Sequence, residues 1–305
     1  MDGILNLYKD KDMTSFAAVS KIRRIFGQKR VGHAGTLDPM ATGVLPILVG
    51  KAAVMQEKLS DHDKRYTAGI RLGLSTDTGD VTGKTLKTAD VSVTTDEFVS
   101  AIMSFIGKIM QTPPMYSAIQ IDGKRLYDLA RRGIEVERQA REIEIYDISL
   151  TERINDTDFL IDVGCSKGTY IRTLCEDIGK KLGVPACMFS LERTECAGYK
   201  KENSVSISEL EKLYNEGKTN ELNAFLLPIE PLFSHLPKVR LPEFYTRLCL
   251  NGCEIYIDKL KIKEDFFALS DGECRVYTYD GKFIGNAFLC DFEEGKAIKI
   301  KYRFI

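Results

Sequence analysis

Residues 32–43 read Gly-His-Ala-Gly-Thr-Leu-Asp-Pro-Met-Ala-Thr-Gly, and they place a single carboxylate, Asp38, among small residues. Glycine lets a backbone approach a ligand closely, and Pro39 restricts the chain on both sides of its peptide bond. An Asp-Pro turn whose carboxylate accepts a backbone N–H would also explain the segment. The alternative is that Asp38 is a catalytic nucleophile held against a bulky substrate.

The segments on either side of this loop predict a domain that mixes helices and strands. Apolar residues at helical spacing predict a helix that begins at Thr14 or Ser15 and ends at Gly27. The apolar run 44–49 predicts a buried strand directly after the loop. A carboxylate between a helix and a buried strand is therefore expected to be held firmly.

Composition excludes several classes of protein. The chain has 305 residues and a formal net charge of −1, which argues against wholesale binding of polyanions. We expect no signal peptide and no membrane span, because no basic start precedes a long apolar run. The eight cysteines form no Cys-x-x-Cys pair, so zinc and a disulfide framework are disfavoured. These features predict a reduced, cytoplasmic protein without membrane contact.

The character of the sequence changes near residue 236. Short strand-like runs at 254–257, 266–269, 274–279, 283–289 and 297–304 follow. Asp271-Gly272 and Asp280-Gly281 predict hairpins between them. We therefore expect one domain over 1–235 and a small β-rich domain over 236–305.

Two groups of basic residues are candidate contacts to nucleic acid phosphates. The alternative is a solvated, charged helix face. The groups are Lys21, Arg23, Arg24, Lys29 and Arg30 before the loop, and Lys124, Arg125, Arg131 and Arg132 further along.

Several motifs, in order along the chain, resemble those of the bacterial tRNA pseudouridine synthase B (TruB) family. The loop 32–43 with Leu45-Pro46 resembles the catalytic loop of that family. Further matches are Lys64-Arg65-Tyr66, Leu72-Gly73-x-x-Thr76-Asp77-Thr78-Gly79-Asp80, Thr112-Pro113-Pro114-x-Tyr116-Ser117-Ala118, Gly123-Lys124-Arg125-x-Tyr127-x-x-Ala130-Arg131, Cys165-Ser166-Lys167-Gly168-Thr169-Tyr170-Ile171-Arg172 and Leu191-x-Arg193-Thr194. Any one of these motifs alone would be weak evidence, but together they span about 3–200.

The resemblance implies an α+β fold, with a mixed, mostly antiparallel central sheet flanked by helices and loops. It places an RNA-binding insertion at about 112–142 and a PUA-like RNA-binding domain at 236–305. The implied reaction is isomerisation of uridine to pseudouridine at position 55, in the T loop of tRNA. The implied partner is the T arm of tRNA, with no obligatory protein partner and no metal or organic cofactor.

The resemblance also implies roles for single residues. Asp38 would be the nucleophile, and Arg172 would pair with it. Substrate contacts would come from a further set of side chains: His33, Lys64, Tyr66, Tyr170 and Leu191. Among them Tyr66 would stack on the flipped uracil, His33 would fill the gap that the uracil leaves, and Leu191 would form an apolar wall.

Two other functions remain open from the sequence. One is a guide-RNA-dependent pseudouridine synthase of the archaeal and eukaryotic type, against which the insertion at about 112–142 argues. The other is a non-catalytic tRNA-binding or tRNA-folding protein, against which the presence of Asp38, Tyr66 and Arg172 argues.

Overall fold

A computed structural model of the protein describes residues 2–117, 119–121 and 123–305. The predicted turn residue Asp122, the motif residue Ala118 and the side chain of Arg125 lie outside the described part. The strands are β1 Gly3–Lys9, β2 Val31–His33, β3 Thr42–Val49, β4 Lys64–Leu72, β5 Leu74–Thr76, β6 Thr85–Thr88, β7 Gly107–Gln111, β8 Gln120–Ile121, β9 Lys124–Arg125, β10 Arg141–Arg153, β11 Asp158–Cys165, β12 Ala186–Cys196, β13 Tyr199–Lys200, β14 Val205–Ser206, β15 Leu226–Leu227, β16 Lys238–Arg240, β17 Ile255–Tyr256, β18 Glu273–Tyr277, β19 Phe283–Phe292 and β20 Gly295–Arg303.

Helices pack on the sheets and connect their strands. The α-helices are α1 Ser15–Ile25, α2 Gln56–Ser60, α3 Thr95–Met103, α4 Leu126–Arg131, α5 Ile171–Leu182, α6 Ile207–Asn215, α7 Thr219–Ala224, α8 Glu243–Leu250 and α9 Ile257–Leu260. Short 3₁₀ helices cover Gly50–Met55, Lys201–Asn203, Glu230–Phe233 and Glu264–Ser270. Within the described ranges, no helix is both long and apolar enough to cross a membrane.

The larger sheet confirms the expected α+β architecture. Its strands run in the order β14-β1-β3-β12-β4-β11-β10-β7, with β2 on β3, β13 on β12 and β15 on β1. Two pairs, β1–β14 and β3–β12, are parallel, while the other pairs in this sheet are antiparallel. One hydrophobic core joins this sheet to α1, α3 and α5. The mixed, mostly antiparallel central sheet is therefore as predicted.

The helix that leads into the loop has the predicted boundaries. The side chain of Thr14 caps α1 by accepting a hydrogen bond from the Ala17 N–H, and Gly27 follows the helix with a φ of 60°. One face of α1, which includes Val19 and Ile22, is buried against the sheet. The loop that carries Asp38 joins β2 to β3, so it is anchored at both ends in the central sheet.

The C-terminal region forms a separate five-stranded sheet, in the order β16-β18-β19-β20-β17. Asp280-Gly281 lies in the connection between the antiparallel strands β18 and β19, as the hairpin signal predicted. The expected strand at 266–269 is wrong, because Glu264–Ser270 is a 3₁₀ helix. Asp271, with a φ of 48°, ends that helix, so Asp271-Gly272 terminates a helix and does not close a hairpin.

The two sheets are joined by an apolar cluster. Phe304, from the end of the C-terminal sheet, packs in it with Phe233, at 5.8 Å between ring centroids. The same cluster contains Ile4 and Leu48 of the central sheet and Ala34 at the start of the Asp38 loop. The division at 235/236 stays a prediction, and this apolar cluster contains residues from both sides of the proposed boundary.

Candidate active site

Hydrogen bonds hold both neighbours of Asp38. The buried hydroxyl of Ser15 donates to the Leu37 carbonyl at 3.1 Å and accepts from the Leu37 N–H at 2.9 Å. On the other side, the Pro39 carbonyl accepts from the Asp12 N–H at 2.8 Å and from the Lys9 ammonium at 3.3 Å. The backbone on either side of the carboxylate is therefore fixed by α1 and the end of β1.

Lys9 supports this loop from inside the protein. It is fully buried, and its Nζ also donates to the carbonyls of Met13, at 2.7 Å, and Asp10, at 2.9 Å. Burial lowers the pKa of Lys9 to about 8, although the nearby carboxylates of Asp10 and Asp38 act in the opposite direction. A positive charge is thus placed behind the loop at a cost in solvation.

An ion pair joins Asp38 to Arg172, as the motif comparison predicted. Nε of Arg172 lies 3.0 Å from Oδ2 of Asp38, and one terminal nitrogen lies 3.5 Å from Oδ1. The Arg172 side chain is only 7% exposed, whereas that of Asp38 is 35% exposed. The guanidinium therefore orients the carboxylate and balances its charge from the protein side. The carboxylate keeps an open side toward solvent, where a substrate can approach.

Arg172 is itself held by two backbone carbonyls. Its terminal nitrogens donate to Thr78 at 3.0 Å and to Tyr116 at 2.7 Å. The Thr78 hydroxyl in turn donates to the buried carboxylate of Asp80, at 3.0 Å. The ion pair therefore connects the Asp38 loop with the segment after β5 and with the segment after β7.

Tyr66 and Leu191 lie on one face of the central sheet. In the antiparallel pair β4–β12, Tyr66 is opposite Arg193 and Ala68 is opposite Leu191. Tyr66 and Leu191 are 7% and 9% exposed and share the hydrophobic core with Leu37. Burial raises the pKa of Tyr66, and the Arg193 charge opposes that rise. Because β12 pairs with β3 at Thr42 and Gly43, the strand that carries Leu191 runs beside the end of the loop.

Tyr170 precedes α5 and lies near the ion pair. Its backbone exchanges two hydrogen bonds with the side-chain amide of Gln111, at 2.8 and 3.1 Å. Burial raises the pKa of Tyr170, and the negative charge of Asp38 adds to the rise. Since Arg172 is two residues further along, this anchor also fixes the start of the helix that presents the guanidinium.

His33 and Lys64 lie close to the start of the loop, although Lys64 comes after the loop in the chain. His33 ends β2, and its Nδ1 is buried without a hydrogen-bond partner in the described part of the chain. Burial lowers the pKa of His33. Lys64 begins β4, and its ammonium donates to the carbonyls of Ser60, at 2.9 Å, and His62, at 2.5 Å. Its predicted substrate contact would require it to leave these partners. Both substrate roles stay predictions.

The basic residues before the loop have different surroundings in the structure. Lys21 and Arg24 pair with Glu211, at 3.2 and 2.9 Å. Lys29 and Arg30 are exposed, and no carboxylate lies within 4.0 Å of either in the described ranges. Arg23, the remaining basic residue before the loop, donates to the Val31 carbonyl. In the second basic group, Lys124 and Arg132 are exposed, and Arg131 lies over the Tyr127 ring.

Arg193 was not predicted to be a site residue, although it belongs to the motif Leu191-x-Arg193-Thr194. The side chain is 1% exposed and donates to the carbonyls of Gly35 and Val44, so it touches both ends of the loop. The available signal was its spacing, since Arg193 stands two residues after Leu191 and so shares a strand face with that apolar side chain.

Two family models match the sequence that forms this site. Residues 23–171 match the N-terminal domain of the TruB family of pseudouridylate synthases. Residues 172–234 match the C-terminal domain of tRNA pseudouridylate synthase B. The first match contains the Asp38 loop and Tyr66, and the second begins at Arg172 and contains Leu191.

Several curated proteins with similar sequences carry the name tRNA pseudouridine synthase B. The chain is 44% identical to the protein from Clostridium tetani over 290 residues, which are 93% of this chain and 94% of that protein. It is 44% identical to the protein from Alkaliphilus oremlandii over 260 residues, with 85% of each covered.

Two solved structures that resemble the fold are chains of larger assemblies. A chain of a Cbf5–Nop10–Gar1 complex aligns with a TM-score of 0.69 at 25% identity, over 99% of this chain and 85% of that one. A chain of an H/ACA ribonucleoprotein bound to a substrate RNA gives the same TM-score at 24% identity, with the same coverage. This likeness concerns the fold, and the two family models set its class, that of pseudouridylate synthases. Within that class, the chain belongs to the TruB family.

Proposed function

We propose that this protein isomerises uridine to pseudouridine in tRNA, at position 55 in the T loop, with Asp38 as the nucleophile. The observation that carries the proposal is the Asp38–Arg172 ion pair, in which the arginine is buried and the carboxylate is open on one side. A carboxylate nucleophile needs a fixed orientation and a free approach, and the pair supplies both.

The chemistry rearranges one nucleotide without a net change in its atoms. Asp38 attacks either C6 of the uracil or C1′ of the ribose, and the N-glycosidic bond breaks. The uracil turns, C5 bonds to C1′, and the bond to Asp38 breaks, which regenerates the free carboxylate. The proton on C5 leaves while N1 gains one. The buried ring of Tyr66 holds the base during this turn, and Leu191 keeps water from one side of it.

The target uridine must leave its stack before Asp38 can reach it. Flipping a base costs a few kcal/mol, which contacts to the RNA backbone must offset. Lys29 and Arg30 are the favoured candidates because they are exposed and unpaired in the described structure, whereas Lys21 and Arg24 share the single carboxylate of Glu211. His33 fills the space that the base vacates.

The T arm of tRNA is the proposed binding partner, with further contacts from the insertion near 112–142 and from the C-terminal sheet. The relatives that share the name tRNA pseudouridine synthase B support tRNA as the substrate. The eight cysteines are all unpaired, which supports work in a reducing compartment such as the cytoplasm.

The test is mass mapping of pseudouridine in tRNA after incubation with the purified protein. We expect one pseudouridine at position 55 from the wild type and none from Asp38→Asn, with binding of a T-arm stem-loop retained within about threefold. The exposed Asp156→Asn is the matched control and should keep wild-type turnover. Turnover by Asp38→Asn near the wild-type rate would contradict the nucleophile assignment.

The guide-RNA-dependent function makes a different prediction in the same assay. A naked T-arm stem-loop, without guide RNA or other proteins, should be modified by a stand-alone enzyme. Modification only after addition of a guide RNA and partner proteins would favour the alternative.

A further inference from the structure

Arg193 is a buried charge without an acidic partner. It is 1% exposed, and across the described ranges no carboxylate oxygen lies within 4.0 Å of its guanidinium. Burying an unpaired charge is expensive, and a neutral side chain of similar size would avoid that cost. The charge must therefore be compensated by the groups that it contacts.

Those groups are two carbonyls at opposite ends of the Asp38 loop. Nε of Arg193 donates to Val44 at 2.7 Å, and one terminal nitrogen donates to Gly35 at 3.0 Å. Gly35 lies three residues before Asp38, and Val44 lies six residues after it. One rigid fork thus fixes the distance between the two ends of the loop.

The backbone of Arg193 also closes on this loop. At Gly43, a Cβ atom would lie 2.2 Å from the Arg193 carbonyl oxygen, and the φ of Gly43 is +107°. Only glycine allows the strand that leaves the loop to approach β12 so closely. The loop is therefore held against β12 by both the backbone and the side chain of Arg193.

Arg193 is also a neighbour of Tyr66, across two paired strands of the central sheet. It stands directly opposite Tyr66 in the β4–β12 pair, so the two side chains leave the same face at neighbouring positions. Its positive charge acts against the effect of burial on the pKa of Tyr66. The same guanidinium therefore faces the loop on one side and the tyrosine on the other.

We propose that Arg193 is a positioning residue for the reaction, which holds the Asp38 loop in register with Tyr66 and acts on the chemical step more than on RNA binding. This inference rests on the proposed function. It assigns the buried arginine a task beyond stability: to keep the nucleophile and the aromatic ring at a fixed separation.

The experiment compares Arg193→Lys and Arg193→Met with the wild type in single-turnover assays on a T-arm stem-loop, per mole of folded protein. Lysine keeps the charge but loses the planar fork. We expect the rate constant to fall about 10-fold or more in Arg193→Lys and about 100-fold or more in Arg193→Met. The dissociation constant for the RNA should stay within about threefold of the wild-type value.

Arg71→Met is the matched control. Arg71 also lies on the β4–β12 ladder, but it pairs with Asp158 at 2.7 Å and is 41% exposed. Its loss should lower stability and leave the rate constant of the folded protein unchanged. If Arg193→Met does not fold, the comparison between Arg193→Lys and Arg71→Met decides the question.

A double-mutant cycle with Tyr66→Phe tests the coupling. We expect Arg193→Lys to slow the reaction less in the Tyr66→Phe background than in the wild type, because the pair acts as a unit. Wild-type rates in the folded Arg193 variants, losses confined to RNA binding, or strictly additive effects would overturn the inference. A wild-type protein that forms no pseudouridine would overturn the proposed function itself, so the two failures are distinct.

Discussion

The hydroxyl of Ser15 makes two hydrogen bonds with the backbone of Leu37, one as donor and one as acceptor. The first residue of α1 is thereby tied to the residue before Asp38, and both partners are buried. Because helix α1 is packed into the core, these two hydrogen bonds of Ser15 fix the position of Leu37 relative to the helix.

Ser15→Ala should destabilise the protein and slow catalysis. The change leaves the Leu37 N–H and carbonyl buried without this partner, which costs about 2 kcal/mol. Urea unfolding and single-turnover kinetics would measure the two effects. Ser20→Ala, on the exposed face of the same helix, is the control and should be close to neutral. Equal behaviour of the two variants would show that the Ser15–Leu37 bonds do not hold the loop.

Arg172→Lys should reduce the rate constant on the order of 100-fold while RNA binding changes little. A lysine has one charged nitrogen, which cannot reach Asp38 together with the carbonyls of Thr78 and Tyr116. Arg65→Lys is the control, because Arg65 pairs with two carboxylates at a partly exposed site. A defect confined to RNA affinity would contradict the positioning role of Arg172.

Lys9 predicts a pH dependence of stability. Its pKa is about 8 in the folded protein and 10.5 ordinarily, so between these values the unfolded chain binds more protons. The free energy of unfolding of the wild type should therefore rise with pH, relative to Lys9→Met, from about pH 8 to 10.5. The full change is on the order of 3 kcal/mol.

Urea unfolding of both proteins at pH 7, 8, 9 and 9.5 would measure this difference. Below pH 8 it should be constant, because Lys9 is then protonated in both states. A difference that stays flat up to pH 9.5 would show that buried Lys9 keeps its ordinary affinity for protons.

Loss of the unpaired basic residues should weaken the salt dependence of RNA binding. The double change Lys29→Gln with Arg30→Gln should reduce the slope of log affinity against log salt by about 1 per lost phosphate contact. Lys21→Gln with Arg24→Gln is the control, and it should change the slope less because Glu211 already offsets one of these two charges. Equal slopes for the two double variants would place the contacts elsewhere.

Local sequence signals were sufficient to predict helix α1 and strand β3, which lie on either side of Asp38 in the chain. Helix α1 has its cap at Thr14 and its terminating glycine at Gly27, and β3 is a continuous apolar run. Such features depend on neighbours in sequence, so they can be recognised without the fold. The Asp38–Arg172 pair spans 134 residues, and only the ordered motifs of the family connected its two ends.

The C-terminal region shows where local signals fail. The residues around Phe267 have strand-like composition, yet they form a 3₁₀ helix that buries Phe267 and leaves Phe266 and Leu269 exposed. Tertiary packing decided the conformation of this short segment. Arg193 was overlooked as a site residue for a related reason, since its importance depends on carbonyls that the sheet brings to it from Gly35 and Val44.

The apolar cluster between the two sheets has a consequence for the order of folding. It combines Ile4, Ala34 and Leu48 with Phe304, which is 300 residues after Ile4 in the chain. A ribosome that makes the chain must synthesise Phe304 before this cluster can close. Contacts of such long sequence separation form slowly. The apolar cluster behind the Asp38 loop is therefore completed late, and the nascent chain should acquire its activity only after the C-terminal sheet has docked.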